Sequence, residues 1–149
     1  MDLIGESRKL ALSEIKKYGT PIPVHFTLSE KKAITLAKEL HADERIVKVG
    51  IVLMDLKLGQ AMKEKRVDEH IAMSIEAAKV FLQRFELDDK TQNGIINCIE
   101  AHHQQVAFRC LEAEICANAD CYRFIHPRGF FAYLALLGRR DYSFESSFF

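Results

Sequence analysis

Ile46-Val47-Lys48-Val49-Gly50-Ile51-Val52-Leu53-Met54 decides the fold. Its β-branched residues suit a buried strand, and Asn93-Gly94 further on is a hairpin signal when strands flank it. The flanks of Asn93-Gly94 are helix-periodic instead, and no second run offers itself as a partner for the first. A lone strand leaves its backbone N–H and C=O groups without hydrogen bonds. The stretch therefore reads as a buried helix, and the chain as all-α.

Proline placement supports this. The 3 prolines fall at positions 21, 23 and 127, so Val24 to His126 is free of the strongest helix breaker. Apolar residues there recur at three- and four-residue steps, the period of a helix with one buried stripe. The spacing predicts about six or seven helices in a compact bundle. They are placed at Glu6–Tyr18, His25–Leu40, Asp43–Leu58, a helix capped by Asp68 and reaching Phe85, one from Asp88 or Asp89 through Gln104, Arg109–Ile125, and Pro127–Leu137.

At 149 residues a single domain is expected, with an N-terminal helix over 1–19, a core over 24–137 and an aromatic tail over 141–149. Lys plus Arg and Asp plus Glu each number 21. This balance disfavours a nucleic-acid polymer as partner. No apolar run is long enough to span a bilayer and the N-terminus carries no signal-peptide pattern, so a cytoplasmic protein without membrane contact is expected. The 4 cysteines form no C-x-x-C pair and read as reduced, partly buried thiols. The tail Asp141–Phe149 holds four aromatics, which suggests packing on the domain or on a second copy in a homo-oligomer.

Polar residues stand where burial is expected. Asp55 lies inside Ile51-Val52-Leu53-Met54-Asp55-Leu56, and Asp120 shares a helical face with Ala113, Cys116, Ala117 and Phe124. A buried carboxylate needs a cationic partner or a metal ion. His102 and His103 continue the stripe of Ile95, Ile96 and Ile99, and neutral imidazole on such a face suits a metal ligand. His70 opens a face with Ser74, Ala77 and Phe81, whose small members let another helix approach, and His25 opens the second helix. His41 reads as surface and His126 as a turn residue before Pro127.

The order His25, Asp55, His70, His102-His103, Asp120 resembles the HD-domain superfamily, whose pattern H…HD…H…H(H)…D lies on an all-α fold. The resemblance covers roughly Val24 to Leu137. It is carried by Val49–Leu56, Glu69-His70-Ile71, Ile99-Glu100-Ala101-His102-His103 and Glu112-Ala113-Glu114-Ile115 with Asn118-Ala119-Asp120. It departs at the doublet, which reads Met54-Asp55.

The resemblance implies a metal-dependent phosphohydrolase. A first divalent ion (Mn, Fe, Zn, Mg or similar) would fall to His25, Met54, Asp55 and Asp120, and a thioether is a poor ligand for such ions. A second would fall to Asp55, His70 and His102 or His103. Three arrangements stay open: one ion displaced toward the second set, repair of the first set by the extra histidine, or a binding module without metal. If competent, the site would hydrolyse a nucleotide or another small phosphomonoester, with Asp55 at its centre and Lys57 and Arg123 as cations for the phosphate.

Overall fold

The computed structural model describes residues 2–139. Its helices are α1 (Leu3–Tyr18), α2 (Pro23–Glu39), α3 (Glu44–Leu53), α4 (Leu58–Lys63), α5 (His70–Leu82), α6 (Asp89–Ala101), α7 (Leu111–Ile125) and α8 (Pro127–Arg139). A 3₁₀ turn at Val67–Glu69 leads into α5, and no strand occurs among the described residues. The expected all-α bundle is what the chain forms.

The β-branched run becomes α3 because it is enclosed. Ile46, Val47, Val49, Ile51, Val52 and Leu53 are all buried, and α1, α2, α6 and α7 pack around them. A helix apolar on every side belongs at the centre of a bundle, and burial there outweighs weak helix propensity. Asp43 caps its start by accepting from the Arg45 and Ile46 N–H groups. Gly50 permits the crossing with α6, since a Cβ there would stand 2.5 Å from Cys98 Cβ.

Several boundaries differ from expectation for local reasons. The third helix stops at Leu53 rather than Leu58. The Leu56 N–H then bonds Leu53 O at 3.1 Å and the Leu58 N–H bonds Asp55 O at 3.0 Å, so the chain tightens into i−3 turns before α4. Asp68 lies inside the 3₁₀ turn and α5 begins at His70, so Asp68 is not an N-cap. Asp88 does cap α6, accepting from the Thr91 N–H at 2.7 Å. That helix ends at Ala101, short of Gln104, whose φ of 59° breaks the helical path.

Cys98 and Cys116 are buried, Cys110 is half-buried, Cys121 is exposed, and all are free thiols. No described helix is long and apolar enough to cross a membrane. The tail at 141–149, expected to pack on the domain or a second copy, lies outside the described residues.

Candidate metal centre

Asp55 occupies the tight turn after α3, and this turn aims its carboxylate into the bundle. The Lys57 N–H donates to Ser74 Oγ at 3.0 Å, pinning the turn against α5. Ser74 is one of the small residues that the sequence placed beside His70, and α4 and α5 meet there. His70 is the first residue of α5, and His102 follows the last residue of α6. Three chain breaks thus point polar side chains at one place.

Both rings are fixed from behind. His70 Nδ1 lies 2.6 Å from Val67 O and His102 Nδ1 lies 2.7 Å from Ile99 O. A carbonyl only accepts, so each Nδ1 carries a proton and each neutral ring turns a bare Nε2 lone pair forward. His102 Nε2 stands 3.5 Å and His70 Nε2 3.9 Å from Asp55 Oδ1. All three of these atoms are buried without a hydrogen-bond partner. His103 joins them from the solvent side, and the ligand atoms of His70, His102 and His103 lie within 4.8 Å of one another.

Three acceptors facing one another require a positive charge between them. A proton on His102 meets part of that need: burial disfavours the charged ring, but the Asp55 carboxylate outweighs burial and pushes His102 upward. One proton serves one pair, however, and leaves the His70 Nε2 without a donor. A divalent ion would meet all the lone pairs at once. Ligands at ~2.0–2.2 Å from a common ion lie roughly 3–3.5 Å apart, so the 3.5 Å between His102 and Asp55 already suits an ion and the wider histidine spacings would close by small side-chain shifts. Desolvation and the neighbouring His102 and His70 rings press His103 down to about 4, keeping it neutral and available. The residues present fit an ion at His70, His102 and His103, with Asp55 Oδ1 beside the first two.

The rest of the expected set is arranged differently. Arg123 stands between the two carboxylates: Nη1 donates to Asp55 Oδ2 at 3.0 Å, and Nη2 lies 2.9 Å from Asp120 Oδ1. Burial alone would raise the Asp55 carboxyl, but His102 and Arg123 together hold it well below the usual carboxylate range. Burial, aided by the Asp55 charge and opposed by Arg123, lifts Asp120 to about 6. Asp120 is thus tied to the centre by its ion pair with Arg123, and its charge also reaches His102.

Arg123 is 6% exposed whereas Phe124 is 37% exposed. The buried stripe of α7 therefore runs through Arg123, and the expected place of Phe124 on it is corrected. Its guanidinium, engaged by both carboxylates, is not the free phosphate cation the sequence suggested. Lys57 is turned toward α1, where its ammonium pairs with Glu14 at 3.1 Å. It too is not free for a phosphate.

His25 is buried, but its Nε2 donates to Gly129 O at 2.8 Å. Its ring packs on Phe124 and Tyr133, with centroids 5.0 and 6.0 Å away. Burial, against the Gly129 bond, lowers its basicity. The contacts of His25 thus run to α7 and α8 rather than to Asp55. Met54 is buried beside Asp55 at 2% exposure. The first set of ligands, one short in sequence, does not fit an ion here: a guanidinium already lies between its carboxylates.

Asn97 was not singled out in the sequence. It is 1% exposed, and its Oδ1 accepts from the Arg109 N–H at 2.7 Å while its Nδ2 donates to Ala107 O at 3.1 Å. It ties down the loop that begins with His102-His103. A polar residue one step before Cys98 on an apolar helix was the available signal.

Comparison with known proteins adds a partial likeness. Over 110 residues the chain is 32% identical to Ribonuclease Y of Finegoldia magna, covering 74% of this chain and 20% of that protein. Over 103 residues it is 29% identical to Ribonuclease Y of Acidothermus cellulolyticus, covering 69% of this chain and 19% of that protein. The chain spans about a fifth of the length of these curated relatives. No family model matches it, and no solved structure does.

Proposed function

We propose that this chain carries a single-ion centre of the HD type that hydrolyses phosphate esters of nucleotides. The observation that carries this reading is the convergence of Asp55 Oδ1, His70 Nε2 and His102 Nε2, buried and without donors. Asp55, His70, His102 and His103 would hold the ion, a donor set of imidazoles and one carboxylate that suits Zn, Fe or Mn. When bound, such an ion supplies Lewis acidity toward a phosphoryl oxygen and lowers the pKa of water.

The chain's own groups orient that site. Val67 O and Ile99 O fix the imidazole tautomers, and Arg123 fixes the Asp55 carboxylate so that Oδ1 faces the histidines. His103, exposed, marks the side from which substrate enters. The name Ribonuclease Y makes the RNA phosphodiester the first substrate class to test. The formal charge of zero favours short oligonucleotides or nucleotides over long polymers.

The test joins elemental analysis of the purified protein to a panel of p-nitrophenyl phosphate, bis-p-nitrophenyl phosphate, nucleoside monophosphates and short RNA. Stoichiometric ion with ion-dependent cleavage is the expected result. Protein that takes up no divalent ion refutes the centre. Bound ion without turnover on any ester favours the second reading, a binding module, which the burial of Met54 and the engagement of Arg123 support.

A further inference from the structure

We propose that Arg123 is a built-in cation holding the place of a second metal ion between Asp55 and Asp120, so that the site takes one divalent ion per chain. Asp55 and Asp120 come from separate elements and are 6% and 5% exposed. Two carboxylates this deep need positive charge close by. The guanidinium supplies it in the manner of a bridging ion, sending one nitrogen to each: Nη1 to Asp55 Oδ2 at 3.0 Å and Nη2 to Asp120 Oδ1 at 2.9 Å.

The surroundings agree with a resident guanidinium rather than an exchangeable ion. Met54, buried beside Asp55, offers only a soft sulfur. His25, the other nitrogen base toward this side, has its Nε2 committed to Gly129 O. Arg123 stays charged at any ordinary pH, and it is anchored on α7, three residues after Asp120. No chelator can remove it.

Charge balance points the same way. With Arg123 in place the two carboxylates keep one net negative charge, which a single cation among the histidines covers. A second divalent ion on top of the guanidinium would leave the buried cluster strongly positive. One permanent cation and one exchangeable ion is the combination the donor set accommodates.

The inference is tested with the full chain and its Arg123→Ala and Arg123→Lys variants. Each is equilibrated with Mn²⁺ or EDTA, bound ion is counted by elemental analysis, and melting is followed in both conditions. Arg123→Ala should melt well below wild type in EDTA, take up one more ion per chain than wild type, and recover stability in Mn²⁺ by a larger shift than wild type shows. Arg123→Lys, which keeps a charge there, should gain no ion. Arg123→Ala that gains no ion and is not rescued by Mn²⁺ overturns the proposal, as does wild type that already binds two. Wild type that binds none while Arg123→Ala binds one would sink the proposed histidine centre and the count of one ion per chain, and would uphold Arg123 as the cation standing in for an ion between the carboxylates.

Discussion

Replacing Asp55 by asparagine separates its two tasks. Asp55 Oδ1 faces His70 and His102 while Oδ2 accepts from Arg123. Asn keeps the shape and can still accept from Arg123, so the change removes charge rather than volume. Removing one partner of a buried ion pair costs about 3–5 kcal/mol. Here Asp120 still pairs with Arg123 and the amide still hydrogen-bonds, so a loss of about 2–3 kcal/mol is expected. Asp120→Asn takes a similar charge from Arg123, but Asp120 has no contact with the histidines. Because burial lifts Asp120 to about 6, the fold does not favour its charge, so Asp120→Asn should cost much less than Asp55→Asn and keep the bound ion, whereas Asp55→Asn should lose it. Urea unfolding in EDTA measures stability free of the stabilisation that a bound ion adds, and elemental analysis after Mn²⁺ loading measures the site. The wild-type Asp55 carboxyl is held below its ordinary value of 3.8. Its contribution is therefore complete above that value and fades as pH falls below it, so wild type and Asp55→Asn should converge in acid. Ion loss as complete in Asp120→Asn as in Asp55→Asn would refute the assignment of Asp55 alone to the histidines.

Other outcomes follow from the same contacts. His25→Gln should keep its ion, because the His25 bond is to Gly129, while losing about 1–2 kcal/mol in urea unfolding. Since burial lowers His25 from 6.5, the neutral ring is favoured in the fold. Its stabilising share should be present above that pH and decline as pH falls through and below it, narrowing the gap to His25→Gln. Gly129→Ala would drive a Cβ into the backbone oxygen of Arg123; a destabilisation of about 1–3 kcal/mol or more is expected as α8 is forced from α7. Met54→His should bind no additional ion while Arg123 remains, and should cost about 1–3 kcal/mol for an imidazole buried without a partner. Raised ion uptake in that variant would contradict the account of Arg123.

Much of the fold was legible because helix period and proline placement left one consistent reading. The run Ile46–Met54 was the test, and its lack of a partner strand outweighed its β-branched composition. The short α4 was missed because six residues span too little of a helical period to show a stripe. The ends of α3 and α6 were overrun because what stops them is the i−3 turn at Asp55 and the positive φ at Gln104. Those choices depend on distant contacts: Ser74 of α5 holds the turn, and Asn97 of α6 holds the loop that returns past its own helix. The histidines and Asp55 could be read from polarity on apolar stripes. Arg123 could be named but not placed, because a long side chain on a helix can as well reach water as a carboxylate. Asp120, Arg123 at i+3 and a demand for charge were the clues that fix its direction.

The centre is assembled at helix ends for a reason that belongs to the backbone. The last four carbonyls of a helix lack intrahelical partners, and Ile99 O is among those of α6, which ends at Ala101. His102 Nδ1 binds it, so one hydrogen bond both closes the helix and turns Nε2 toward Asp55. His70 Nδ1 is held by Val67 O of the 3₁₀ turn that leads into α5, an oxygen that also accepts the His70 backbone N–H. Held by Ile99 O at the open end of α6, the His102 imidazole is oriented by a group that folding had to satisfy in any case. Two rings fixed this way leave their lone pairs buried around Asp55, and that arrangement is what supports the proposal of a divalent ion among them.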